Sequence, residues 1–226
     1  MATRRQRTER RADALSKDRI VDAAIEILDA EGERGLTFRA LTSRLATGTG
    51  AIYWHVANKE ELLTEATTRV VDLVMMRVPD SRTPAAGARA ITLIALGVFD
   101  AIDEHPWVGA HLPRVPWQPG MVSLFEGIGG RLDALGVPGP AQFNAASALV
   151  SYILGVAGQN AANARRHAPG TSRSGVLGEA AARWEELDPA AYPFLRKVAP
   201  QLRDHDDREQ FLAGVDLILA GLTAGQ

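Results

Sequence analysis

The 226-residue chain contains no cysteine, which excludes a disulfide framework, a thiol nucleophile and a cysteine-based zinc site. It has no uninterrupted apolar run near the ~18 residues that mark a membrane-spanning helix. Arginines at the N-terminus are not followed by the apolar segment of a secretory signal, so the expected location is cytoplasmic, with no membrane partner. The five histidines, at 55, 105, 111, 167 and 205, form no HExxH or other paired metal spacing. The cluster Asp204, His205, Asp206, Asp207 reads as a solvated turn between helices, and neither metal nor cofactor is expected. Gly127-Ile128-Gly129-Gly130 lacks the GxGxxG spacing and has no strand before it, which argues against a dinucleotide fold. Segments alternating apolar and polar residues are also missing, so the fold class is all-α. With a formal charge of only -2, any affinity for nucleic acid must come from local charge.

Such local charge stands at the front. Within the first eleven residues Arg4, Arg5, Arg7, Arg10 and Arg11 face the single acid Glu9, and the arm over residues 1–15 suits either a DNA groove or a solvated tail. Ser16 is placed to cap a helix over 17–31, in which Ile20, Ala23, Ala24, Ile27 and Leu28 recur at helical spacing. Gly32 and Gly35 bracket the following turn. In LTFRALTSRL, residues 36–45, Thr37 serves as N-cap while Phe38, Leu41 and Leu45 share a face. Gly48 supplies permissive backbone at the next turn. Thr49 then caps a short helix to Val56 that turns Ile52 and Val56 inward and leaves Thr49, Gly50, Tyr53, Trp54 and His55 outside. A surface helix usually presents charge, whereas this one presents two aromatics, a histidine and small residues that permit close backbone approach. Half-buried packing is the other reading of Tyr53 and Trp54. Asn58 caps the next helix with Glu61 at capping-box spacing. Lys59, in that helix's first turn, opposes the helix dipole and calls for a nearby anion such as phosphate.

The two short helices and their turn read as a helix-turn-helix, whose second helix enters the major groove. LTFRALTSRLATGTGAIYWHVANKEELL resembles the DNA-binding domain of the tetracycline-repressor (TetR) family, over about residues 17 to 65. This resemblance implies a double-stranded DNA operator as partner and places Thr37, Arg39, Thr49, Tyr53, Trp54, His55 and Lys59 at DNA-facing positions. Gly50 joins them from its outward place on the short helix. Thr49 to Val56 are expected to read bases, and Thr37 and Lys59 to hold phosphates.

From Lys59 a longer helix carries Leu62, Leu63, Ala66, Val70, Leu73 and Val74 to about Val78, where Pro79 ends it. The expected organisation is an arm over 1–15, a helix-turn-helix domain over 16–58, a connector helix over 59–78, and a larger helical domain over 79–226. In the last, helices are expected over 84–104, from Pro119 to Gly136, and from Pro140 to about Arg166. Ile91, Ile94, Ala95, Val98, Phe99 and Ile102 face inward along the first. HAPGTSRS, residues 167–174, reads as a loop, and further helices follow near 175–187, 189–203 and 206–222. FLAGVDLILAGL resembles the terminal helix of the tetracycline-repressor type of ligand-binding domain, which implies a homodimer, although a simple core helix has the same pattern. HLPRVP resembles the segment in which that type uses a histidine to bind a drug-chelated metal. Arg114 and Met75 depart from the polar residues expected there, which argues against tetracycline as the ligand. An unidentified small-molecule effector is expected to meet apolar walls from Phe99, Trp107 and Trp117 and polar groups from His105, His111, Tyr152, Gln159 and Asn163. The leading reading is a homodimeric, ligand-responsive regulator, most simply a repressor on a palindromic operator. A helical enzyme and a protein-binding adaptor without DNA affinity remain the alternatives.

Overall fold

Capping chemistry sets most of the helix starts in the computed structural model, which describes residues 15–79, 83–165, 173–203 and 205–224. The basic arm and most of the 167–174 loop lie outside these residues. Among the described residues are eleven α-helices, a 3-10 turn and no strand. Helix α1 (Lys17–Gly35) starts where Ser16 Oγ accepts the Arg19 amide, and it buries Ile20, Val21, Ala23, Ala24, Ile27 and Leu28. Instead of ending at residue 31, it continues through a kink at Gly32, whose φ of 68° needs a residue without a Cβ. Helix α2 (Phe38–Leu45) is capped by Thr37, and Leu41 is its buried anchor.

The next turn corrects an expectation. Its left-handed residue is Ala46, with φ 49°, whereas Gly48 is extended at φ -85° and serves as N-cap of α3 (Thr49–Tyr53). Thr49 is therefore the first helical residue rather than the cap, and α3 stops three residues before Val56. Val56 is nonetheless buried, because the His55 and Val56 amides both still bond the Ile52 carbonyl. Helix α4 (Lys59–Met76) is capped by Asn58, whose Oδ1 accepts the Glu61 amide at 2.8 Å. Glu61 Oε2 returns to the Ala57 amide, also at 2.8 Å, one residue further back than a simple capping box.

Helix α4 joins the two parts of the fold because it packs on α1 as well as on α5, α6 and α7. Its buried face includes Thr67 and Val71, while Leu73 is nearly half-exposed. Helix α5 (Pro84–Glu104) buries all six residues expected to face inward. It stops at His105, and α6 (Pro106–His111) and a 3-10 turn (Leu112–Arg114) follow directly. Trp107, Val108 and Leu112 bury themselves there, so the segment fills its own space. Helices α7 (Pro119–Ala134) and α8 (Gly139–Ala164) are separated by a turn in which Gly136 has φ 76°. By length and composition α8 is apolar enough to span a bilayer. It packs against α5, α6, α7 and α11 through a stripe that includes Leu149, Ile153, Ala157 and Ala161, with a third of its most apolar stretch buried.

Helices α9 (Arg173–Glu185) and α10 (Pro193–Arg203) form a hairpin, and α11 (Asp207–Ala224) completes the described chain. Phe211 and Val215 of α11 are fully buried. Helix α11 crosses α8 where Gly214 leaves room for the Tyr152 ring. A Cβ at Gly214 would come within 1.9 Å of the phenol oxygen. Tyr152 donates to the Phe211 carbonyl at 3.2 Å, and burial raises its pKa.

Candidate nucleic-acid interface

Helices α2 and α3 with the residues that flank them, and the first turn of α4, carry the eight residues expected to face DNA. Thr37 Oγ1 accepts the Ala40 amide at 3.1 Å, which leaves its hydroxyl hydrogen for an outside acceptor. Arg39 is exposed and has no ion-pair partner among the described residues, whereas Arg44 is engaged by Glu26 at 2.6 Å. Thr49 and Gly50 are exposed at the start of α3. The Tyr53 ring stacks on Phe38, with centroids 4.5 Å apart and planes within 13°. This stack ties α3 to α2, yet Tyr53 remains 54% exposed, so one ring both packs and faces outward. Trp54 is 89% exposed, the highest value among the large apolar side chains of the described residues, and His55 beside it is half-buried. An indole left in water at the edge of a helix-turn-helix is apolar surface that a partner would cover.

Lys59 sits differently from the rest. Its ammonium donates to the Glu33 carbonyl at the end of α1. Carbonyls at a helix C-terminus carry partial negative charge, so this contact supplies a reason for the unfavourable cation in the first turn of α4 without DNA.

A polar seam behind the interface ties α1 and α4 to α6 and the 3-10 turn. Asp29 Oδ1 accepts Trp107 Nε1 at 2.7 Å and lies 2.8 Å from His105 Nδ1. Arg114 forks onto Glu33 at 2.8 and 3.3 Å. His111, 2% exposed, has Nδ1 3.0 Å from Thr67 Oγ1 and Nε2 3.2 Å from Glu60 Oε1. Because the Thr67 hydroxyl donates to the Leu63 carbonyl at 2.7 Å, His111 Nδ1 is the donor to Thr67. Asp29, Glu33, Glu60 and Thr67 carried no sequence signal for this role, since their partners lie 44 to 81 positions away.

The hydrogen bond from Arg114 is the main reason that the Glu33 carboxyl sits below its ordinary pKa of 4.5, while burial opposes the shift. A depressed carboxyl contributes stability that is present above the unfolded pKa and is lost as pH falls through the folded one. Arg114→Ala should therefore destabilise the protein at pH 7, and the difference from wild type should shrink as pH falls below the ordinary 4.5 and vanish once it has passed the lowered folded pKa. Both side chains are about 40% exposed, so the effect at pH 7 is expected to be no more than about 1 kcal/mol. Thermal unfolding of the two proteins at a series of pH values measures it.

The residues expected at a ligand site do not come together at one place. Tyr152, Gln159 and Asn163 line a cavity of about 500 Å³ between α8, the α9–α10 hairpin and the start of α11. His105, Trp107 and His111 belong to the seam, and Phe99 stacks on Phe211 at 4.6 Å. Trp117 is 79% exposed and does not line that cavity.

Comparison with known proteins bears on both halves of the chain. Residues 20–66 match the family model described as bacterial regulatory proteins, tetR family, and residues 95–225 match the tetracyclin repressor-like C-terminal domain. A curated HTH-type transcriptional regulator of Saccharopolyspora erythraea is 32% identical over 212 residues, which cover 93% of this chain and 85% of that protein. A solved transcriptional regulator of Streptomyces coelicolor, described as a TetR, is 51% identical with a TM-score of 0.83, covering 93% of this chain and 99% of its own. The TetR family protein ActR of Streptomyces coelicolor, solved in complex with actinorhodin, is 28% identical with a TM-score of 0.76, covering 94% of this chain and 98% of its own.

Proposed function

This chain belongs to the TetR family of bacterial regulatory proteins, which are DNA-binding and not enzymes, and from that premise we propose a homodimeric repressor that a small molecule releases from a palindromic operator. The observation that carries this reading is the face of α3, which buries Ile52 beneath it while Gly50, Tyr53 and Trp54 stand in solvent. Helix α3 reads base edges, while Thr37 and Lys59 take phosphates, Lys59 leaving the Glu33 carbonyl to do so.

Dimerisation is supported by what a single protomer leaves uncovered. Ala148, Ser151 and Gly155 form an exposed stripe of small residues on α8, and Leu217 of α11 is 75% exposed. Burying both faces against a second copy would make a four-helix interface, and one short recognition helix per protomer would meet two half-sites about 34–36 Å apart or a multiple of that spacing. The complex of ActR with actinorhodin supports a small organic effector for this chain too. His111, bonded to Thr67 of α4, gives body movements a route to the heads. A ligand shifts that balance only if it binds the two arrangements unequally, and a coupling of ~1–3 kcal/mol would change operator affinity about 5 to 150-fold.

Titration of DNA over a range of salt tests the assignment of roles. Lys59→Ala should weaken binding to all duplexes alike and reduce the salt slope of the dimer by about two, because one counterion-releasing contact is lost per protomer. Tyr53→Ala and His55→Ala should instead alter which sequence is preferred. Unchanged affinity and preference in both α3 variants would remove base reading from that helix.

A further inference from the structure

We propose that the cavity beneath the α9–α10 hairpin is the effector site and that it takes an uncharged, ring-containing molecule bearing a hydrogen-bond acceptor. The inference rests on the effector reading above and gives it a place and a chemistry. At about 500 Å³ the cavity falls in the size range that encloses small organic ligands. Its polar wall is built of amides, with Gln159, Asn160 and Asn163 on α8 and Gln201 on α10. Among the described residues no lysine or arginine lines it, and His205 is already paired with Asp207 at 3.1 Å. An anionic ligand would lose its water there without gaining a counter-charge, which disfavours it strongly, and the one carboxylate in the lining, Asp207, is already held by His205. Amides can satisfy neutral carbonyl and hydroxyl groups in either direction.

One lining residue, Asn160, points to the acceptor in particular. Asn160 Nδ2 is buried and has no hydrogen-bond partner. Buried donors are almost always paired, so an orphan on a lining residue marks the place where a bound molecule completes the bond. The apolar requirement comes from the opposite side, where Trp184 of α9 and Leu202 of α10 reach the cavity but remain only half-buried.

The hairpin itself is held together from within. Arg196 donates to the Glu185 and Leu187 carbonyls, and Arg203 pairs with Glu185 at 2.7 Å. Among the described residues, its close helix packing is chiefly one arm against the other. A ring between Trp184, Leu202 and α8 therefore adds the contacts that the hairpin lacks with the body. The consequence reaches further through Tyr152, which lines the cavity, bonds the Phe211 carbonyl and stacks on the Phe211 ring at 5.7 Å. Pressure on Tyr152 is thereby passed to α11, one of the two helices that leave an apolar face for a second protomer.

Fluorescence titration of the full chain with Nile red, a flat uncharged molecule with a carbonyl acceptor, tests the site. The anionic dye 1-anilinonaphthalene-8-sulfonate is the comparator of similar size. Nile red should saturate at one molecule per protomer with blue-shifted emission, and the anionic dye should bind at least tenfold more weakly. Asn160→Leu should lower Nile red affinity at least tenfold, and so should Gln201→Trp, which fills the cavity from an exposed position on α10 and keeps the test open if the first variant fails to fold. Unchanged Nile red affinity in the folded variants, or equal affinity for the anionic dye, overturns the proposal. Site-dependent binding that leaves operator affinity unchanged would overturn the effector role while leaving the pocket in place. Loss of DNA binding by the ligand-free protein would instead count against the regulator reading alone.

Discussion

Gly50→Leu should abolish operator binding while leaving the protein as stable as wild type. Gly50 is exposed in the first turn of α3, and no heavy atom lies within 4 Å of the position a Cβ would take. Nothing in the protein resists the larger side chain, and leaving glycine at a helical position gains roughly 0.5–1 kcal/mol in favourable cases. A base edge or sugar brought against α3 would resist it. Each disturbed base contact costs about 1–3 kcal/mol, and a dimer disturbs two half-sites, so affinity should fall on the order of a hundredfold or more. Thermal unfolding and mobility shift on the same preparation separate the possibilities. Retained affinity would place α3 away from the bases, and a lowered midpoint would make Gly50 a structural residue.

Phe211→Ala should have the largest effect on stability. The ring is fully buried, stacks between Phe99 and Tyr152, and belongs to the residue whose carbonyl receives the Tyr152 hydroxyl. Removing it leaves a cavity at the junction of α5, α8 and α11, and substitutions of this kind cost about 3–5 kcal/mol. For a chain of this size the midpoint should drop by roughly 6–20 °C. Leu217→Ala is the useful contrast, because that side chain is 75% exposed on the same helix. It should leave the packing of the protomer intact and weaken self-association, which sedimentation over a range of concentrations measures. A large loss of protomer stability in Leu217→Ala, or none in Phe211→Ala, would reverse the assignment of the two faces of α11.

The contrast between those faces also shows what the sequence makes legible. Ser16, Thr37 and Asn58 cap the helices that their spacing predicts, because an N-cap acts on an amide only three residues ahead. The inward residues of α5 were readable for a similar reason, since the 3.6-residue period is a local signal. The turn before α3 differs from its pattern because Gly48 permits a left-handed backbone without requiring one. Here hydrogen bonding at the end of α2 fixes that conformation at Ala46, while Gly48 stays extended.

Pairings distant along the chain were beyond pattern reading altogether. His105, Trp107 and His111 have the look of ligand contacts in isolation, and only the folded chain shows that Asp29, Thr67 and Glu60 occupy them. Tyr152, Gln159 and Asn163, expected among the polar contacts together with His105 and His111, share a helix at spacings of seven and four and line one cavity. Asn160, beside them, gave no sign of its unpaired amide. Its significance depends on the hairpin that closes over it, which no spacing on α8 reveals.

Selection of bound duplexes from a random DNA library by the purified 226-residue chain tests the central claim most directly. The account predicts enrichment of an inverted repeat whose half-site centres lie about one helical turn apart or a multiple of it, with two protomers bound per site. Enrichment should fail when Gly50→Leu protein is used in the same selection. Recovery of no preferred sequence, or of a single site without two-fold symmetry bound by one protomer, would contradict the account.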